Sequence, residues 1–221
     1  MSVHHDGLTF DRPGHATVRI ETDDGLVVYV DPWTDVLDGE PHDADVVLVT
    51  HDDFDHYDPD GIEAVSTADT TIVAYEAIDT SDLDREVLTL AEEQATTVDG
   101  IDLHSIRAYN DPDGDHVDED GNPYHARGEV IGLLLTFDDV TVFYPSDTDV
   151  LDVHRTLFVD VFIPPIGGHY TMDRHEAADL AATLEPDLVL PVHYDTFEAI
   201  ETDVEAFAED LAEKEIRVEL F

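Results

Sequence analysis

The chain has 221 residues, with 55 acidic side chains against 9 basic ones, a formal charge of −46, and no cysteine. Zero cysteines exclude disulfides, thiol nucleophiles and cysteine-ligated metal, and no run approaches the roughly 18 apolar residues of a membrane span. The acidity does not signal disorder. Val, Leu, Ile and Phe supply 64 of the 221 residues, above the roughly 20 % ceiling of disordered chains. The length suits one large domain or two small ones; with no linker or domain boundary in the sequence, a single domain over residues 1–221 is expected.

In chain order, residues 15–31 alternate into two strands, Ala16 to Glu21 and Leu26 to Val30, with Asp23-Asp24-Gly25 as the hairpin turn. Asp45 to Thr50 is a continuous apolar run, the pattern of a strand buried on both faces. Asp58-Pro59 reads as an N-cap and a first-turn proline, opening a helix near 59–66. Further strands are expected at 71–75, 101–108, 130–137, 140–145, 158–163 and 187–192. The segment between them, 109–128, is a long loop rich in Asp, Gly, Pro and His, and loops of this length are often functional. Asp173 and Glu176 form a capping-box pattern ahead of an apolar face of Ala177, Leu180, Ala181 and Leu184. A last helix is expected to bury Phe197, Ile200, Val204, Phe207 and Leu211 in the core.

The acidic residues are scattered, so their charge coats the whole surface. Repulsion of that size opposes the compact state at ordinary ionic strength, and molar salt, with a Debye length of about 3 Å, screens it. With a single lysine, Lys214, against eight arginines, the composition resembles the cytosolic proteins of salt-in halophilic archaea. The amino terminus, Met1 to Asp6, has neither the basic start nor the apolar stretch of a signal peptide. A cytoplasmic location is the expectation.

Metal-ligand residue types recur where buried strands should end. His51, Asp53, Asp55 and His56 follow one strand, Asp147 follows another and His193 a third. Imidazole and carboxylate together suit zinc, manganese or iron.

The stretch His51-x-Asp53-x-Asp55-His56 resembles the HxHxDH signature of the metallo-β-lactamase superfamily. The likeness continues in order through Gly14-His15-Ala16, Asp31-Pro32-Trp33, Ser146-Asp147-Thr148, Pro165-Ile166-Gly167-Gly168, Tyr170-Thr171-Met172-Asp173 and Pro191-Val192-His193-Tyr194. Within that superfamily the chain is most similar to the small metal-dependent hydrolases related to L-ascorbate-6-phosphate lactonase. The resemblance implies an α/β fold, the αββα sandwich of two β-sheets flanked by helices, with two divalent metals at one edge. It places Asp55, His56 and His193 on one metal, Asp147 as a bridge, and His51 on the second. Zinc is the first expectation. A metal-bound hydroxide between the ions would attack an ester, lactone or phosphodiester.

The chain departs from the family on the second metal's side. Asp53 stands where a histidine is usual, and Asn110 follows Ala108-Tyr109 where the third histidine belongs. An oxygen donor at Asp53 makes the site harder, which suits manganese or iron; the alternative is a second site that is weak or empty. His125, in Tyr124-His125-Ala126-Arg127, is either a replacement ligand or a general acid; Asp55 and His125 are the residues assigned to catalysis. Asn110 is expected to orient a neighbour, His15 to stand beside the site, and His116 to be a candidate substrate contact.

The partner expected is a small-molecule substrate, with no membrane, and a homo-oligomer remains open. Nucleic acid is disfavoured, because the sequence holds no basic patch. The alternatives to a hydrolase are a metal-binding sensor or scaffold without turnover, and a nuclease of the same fold.

Overall fold

The structure, a computed structural model, describes all residues from Met1 to Phe221. The first sheet uses β1 (Val3–His5), β2 (Leu8–Gly14), β3 (Thr17–Thr22), β4 (Val27–Val30), β5 (Ala44–Val49), β6 (Ser66–Tyr75) and β7 (Val87–Leu90), in that spatial order. The second uses β8 (Ala95–Val98), β9 (Ile101–Ala108), β10 (Val130–Phe137), β11 (Val140–Tyr144), β12 (Val161–Phe162) and β13 (Leu188–Val189), ordered β13-β12-β11-β10-β9-β8. Three helices complete the chain: α1 (Pro59–Val65), α2 (Arg174–Leu184) and α3 (Val204–Ala212).

Both sheets change character partway across. In the first, β1 to β4 pair antiparallel and β4 to β7 pair parallel. In the second, β8 to β11 pair antiparallel and β11 to β13 parallel. As a result β2, β4 and β5 run one way in the first sheet, and β9, β11 and β13 run one way in the second. Their C-terminal ends form a single edge of the sandwich, and that edge carries the site.

The core follows from the alternation along the strands. Phe10, Val18, Val28 and Leu48 of the first sheet and Leu103, Ile131, Leu133 and Tyr144 of the second belong to one buried cluster. A smaller cluster holds α2 and α3 against the second sheet through Phe143, Phe162, Leu180, Leu184, Phe207 and Leu211. Each such side chain contributes about 1.5–3 kcal/mol when buried.

The local signals behave as their chemistry requires. Asp58 accepts from the Asp60 N–H at the start of α1, and the Asp173–Glu176 capping box opens α2 with both of its hydrogen bonds formed. Gly25 takes φ +94° in the β3–β4 turn, a conformation only glycine adopts freely. Gly61 lets α1 lie against the segment after β4, because a Cβ there would stand 2.3 Å from the Pro32 carbonyl oxygen.

Four expectations are corrected. The chain begins with two strands, β1 and β2, that the residue pattern does not announce. Pro13 and the register shift between Asp11 and Gly14 interrupt the alternation of β2. The edge strands β7 and β8 were also missed, because they are short and partly exposed. The strands expected over 158–163 and 187–192 shrink to two residues each, since their flanks turn away into the site edge. Finally, the last helix does not include Phe197 or Ile200. Asp203 caps it from the Ala206 N–H, so it starts at Val204, and Ile200 sits on a short 3-10 turn instead.

No helix is long and apolar enough to cross a membrane. The charge remains on the surface, where most carboxylates have no cationic partner, since 55 acidic side chains face 9 basic ones. Lowering potassium chloride from about 1 M to about 0.1 M lengthens the Debye distance from about 3 Å to about 10 Å. The melting temperature, followed by circular dichroism, is expected to fall steeply over that dilution; a melting temperature independent of salt would contradict this.

Candidate metal centre

His15 leaves β2, Asp31 leaves β4, His51 leaves β5, Asn110 follows β9, Asp147 follows β11 and His193 comes after β13, all at the shared edge. Four residues at these exits take positive φ although none is glycine: His15 at +50°, Asp31 at +46°, Ser146 at +60° and His193 at +53°. Such conformations cost about 1–3 kcal/mol each and persist only where their surroundings hold them. Here they are held in part by the His193 N–H donating to the His15 carbonyl at 3.0 Å, which ties the two sheets together at the edge.

The side chains converge into two clusters. His15, Asp55, His56 and His193 each place a donor atom within 4.8 Å of the others, and His51, Asp53 and His125 do the same beside them. Asp147 stands between the clusters. Its Oδ2 lies 3.0 Å from His193 Nε2 and 3.6 Å from His125 Nε2, and its Oδ1 lies 3.5 Å from His56 Nε2. His125 Nε2 is also 3.2 Å from Asp53 Oδ2.

A surrounding shell fixes the rings. The carboxylate of Asp31, wholly buried, accepts from the Thr50 N–H at 2.9 Å, the Thr50 hydroxyl at 2.7 Å, the Tyr144 hydroxyl at 3.1 Å and His56 Nδ1 at 2.8 Å. With Nδ1 so engaged, His56 turns Nε2 inward, as an outer carboxylate does for a metal-binding histidine. His51 Nδ1 lies 3.0 Å from the Thr50 hydroxyl, which also meets Ser146 Oγ at 2.7 Å. Asn110 is the corresponding anchor for His125. Its Oδ1 accepts from the His125 N–H at 2.8 Å and lies 3.1 Å from His125 Nδ1, while its Nδ2 donates to Asp149 and to the Tyr170 carbonyl. His15 Nε2, 2.9 Å from Asp55 Oδ2, steadies that carboxylate.

Ionisation follows this geometry. Burial opposes charge on Asp147, yet His193 and His56 outweigh it and hold the carboxyl well below its ordinary range. Burial also opposes charge on His56, but Asp147 and Asp31 raise it well above the ordinary histidine value. Hydrogen bonds from His125 and His51 hold Asp53 below the usual carboxylate range. Burial pushes His15 down to about 4 against its bond to Asp55.

Asp31, Asp53, Asp55 and Asp147 thus share a small volume in which imidazoles provide the only positive charge. Five buried atoms in it have no hydrogen-bond partner: Nε2 of His15, His51 and His56, Oδ1 of Asp147 and Nδ1 of His193. Orphaned donors and acceptors of this kind are costly in a core. Divalent cations bound among these donors would satisfy such atoms, so the donor set fits metal.

Every residue singled out as a ligand, His51, Asp53, Asp55, His56, Asp147 and His193, lies in this edge cluster, and His125 joins it from the long loop. Asn110 orients a neighbour, as expected. His116 Nδ1 lies 2.6 Å from Asp149 Oδ1, the same oxygen that accepts from Asn110, so it is tied to the long loop there. The Asp31-Pro32-Trp33 motif alone gives Asp31 no role in the site. Its position at the end of a buried strand, two residues ahead of Trp33, was the available signal.

The likeness to known proteins runs along the whole chain. The family model described as "Beta-lactamase superfamily domain" matches residues 11–193. A "UPF0173 metal-dependent hydrolase" of Methanosphaerula palustris is 34 % identical over 202 residues, covering 89 % of this chain and 88 % of the relative. Its counterpart in Thermococcus kodakarensis is 32 % identical over 217 residues, covering 91 % of each. Among solved structures, one from Parabacteroides distasonis superposes with a TM-score of 0.84 at 26 % identity, covering 100 % of this chain and 97 % of that one. Igni18, a metallo hydrolase from Ignicoccus hospitalis, gives a TM-score of 0.79 at 22 % identity, covering 97 % and 94 %, and shares the fold.

Replacing the Asp31 carboxylate disturbs two things at once. Asp31→Asn is expected to weaken metal binding by about 10–100-fold and to lower stability by about 1–3 kcal/mol, read by chelator competition and thermal melting. Unchanged metal affinity would show that His56 does not depend on Asp31 for its orientation.

Proposed function

Because the chain belongs to the β-lactamase superfamily, among the UPF0173 metal-dependent hydrolases, we propose that it cleaves an ester or lactone at a centre of two divalent metals. The observation that carries this reading is the placement of Asp147, whose two oxygens reach donors of both clusters at 3.0–3.6 Å. Asp55, His56 and His193 would hold one ion, His51 and Asp53 would hold the other with His125 as a further candidate, and Asp147 lies between the two sets. When bound, divalent ions supply a nucleophile at neutral pH and Lewis acidity toward the substrate oxygen. Zinc is the first candidate, with manganese or iron suited by the additional oxygen donor.

The chain's own residues do the rest. Asp31 and Thr50 orient His56 and His51, and His15 holds Asp55. Asn110 fixes the ring of His125, whose Nε2 lies between Asp53 and Asp147 and so can hold a ligand or relay a proton toward a leaving oxygen. Local charge selects among substrates. Molar salt screens the formal charge of −46 beyond about 3 Å, so the preference for an ester or lactone over a phosphodiester rests on the lack of any lysine or arginine among the residues gathered at the clusters to meet a phosphate. The same charge supports a host with molar internal salt and a cytoplasmic enzyme.

Turnover of p-nitrophenyl esters and of bis-p-nitrophenyl phosphate in molar potassium chloride tests the reading. Ester cleavage is expected, stopped by chelation and reduced to background in Asp147→Ala. Equal turnover by wild type and Asp147→Ala would remove the metal centre from catalysis. Metal binding with no turnover of either substrate would support a sensor or scaffold.

A further inference from the structure

Beside the metal clusters stands an aromatic group outside the two hydrophobic core clusters, with Trp33 buried beneath its outer rings at 7 % exposure. Trp33, Phe54 and Phe197 are mutually in contact, with ring centroids 5.9 Å apart for Trp33–Phe54, 5.9 Å for Trp33–Phe197 and 6.2 Å for Phe54–Phe197. His15 joins them to the centre. Its ring is 5.5 Å from both Trp33 and Phe197, and 4.3 Å from His193. The outermost ring, Phe54, is 67 % exposed. In sequence Phe54 separates Asp53 from Asp55, so its ring stands at the rim, one residue from each cluster. Phe197, expected in a helix core, serves instead as the half-buried floor of this group.

We propose that Trp33, Phe54 and Phe197 form an aromatic shelf that binds an uncharged phenyl-sized group of the substrate while its ester or lactone reaches the metals, an inference that rests on the hydrolase reading above. Three arguments select this occupant. The patch is a few rings wide, far short of the roughly 800 Å² per partner that a stable protein interface buries. It is continuous with the metal clusters through His15 and the 53–55 turn, so whatever occupies it is held next to the reacting atoms. Its three side chains carry no charge, and ring-on-ring contact survives molar salt, whereas attraction of a cation to the neighbouring Asp52 and Asp53 is screened there. At the upper end of what an added aromatic contact gives beyond area burial, the gain in affinity is about tenfold.

Trp33 is the chain's only tryptophan, so its fluorescence reports the shelf without any need for turnover. The experiment titrates zinc-loaded protein in molar potassium chloride with 4-phenylbutyrate and with butyrate, which share a carboxylate and differ in the ring. The expected result is a saturable change in Trp33 emission with 4-phenylbutyrate at about tenfold tighter affinity than any change with butyrate. That preference is expected to be lost in Phe54→Ala and kept in Phe54→Tyr; Phe54 is exposed, so both variants fold. Equal response to the two ligands, no response to either, or a phenyl preference unaffected by Phe54→Ala would overturn the proposal. A phenyl preference in a protein that turns over no ester keeps the shelf and removes the hydrolase. Turnover of phenyl and methyl esters with equal kcat/KM keeps the hydrolase and removes the shelf.

Discussion

The buried carboxylate of Asp31 is the joint on which the site edge depends. It gathers Thr50 from β5's exit, His56 from the following loop and Tyr144 from the end of β11, so one side chain connects both sheets and aims one of the inner rings. A buried charge is tolerated only when its lone pairs are filled, and here four donors fill them. The left-handed backbone at Asp31 is part of the same arrangement, because the turn lets the carboxylate double back toward Thr50.

Given that joint, the remaining placement follows from topology. Strands of both sheets run so that their C-terminal ends meet, and each end releases one or two side chains that face the others across a few ångströms. The result concentrates four aspartates against a set of histidines inside a protein that is already strongly acidic. The surface carboxylates are managed by solvent and salt; the inner ones are managed by imidazoles and by the cations they are built to hold.

The sequence made much of this legible, for identifiable reasons. Ligand-type residues sit directly after strongly apolar strands, so His51, Asp147 and His193 could be located from hydropathy, and His56 and Asp55 from the resemblance of their stretch to the HxHxDH signature. The capping box at Asp173 and the proline after Asp58 marked helix starts within one residue. What stayed hidden depends on contacts distant in sequence. Nothing local tells that Asp31 reaches His56 twenty-five residues on, or that His125 crosses the long loop to meet Asp53 seventy-two residues before it. The misreading of Phe197 has the same origin: its spacing matched the helix behind it, but Asp203 caps that helix and frees Phe197 to pack on Trp33.

The most direct test of the account is the metal content of the purified chain, measured by elemental analysis in molar potassium chloride without chelator, for wild type and for Asp53→Ala. Two clusters joined by Asp147 predict about two divalent ions per wild-type chain and about one in Asp53→Ala. A wild-type chain that holds only one ion, or none after exposure to zinc, manganese and iron, would contradict it.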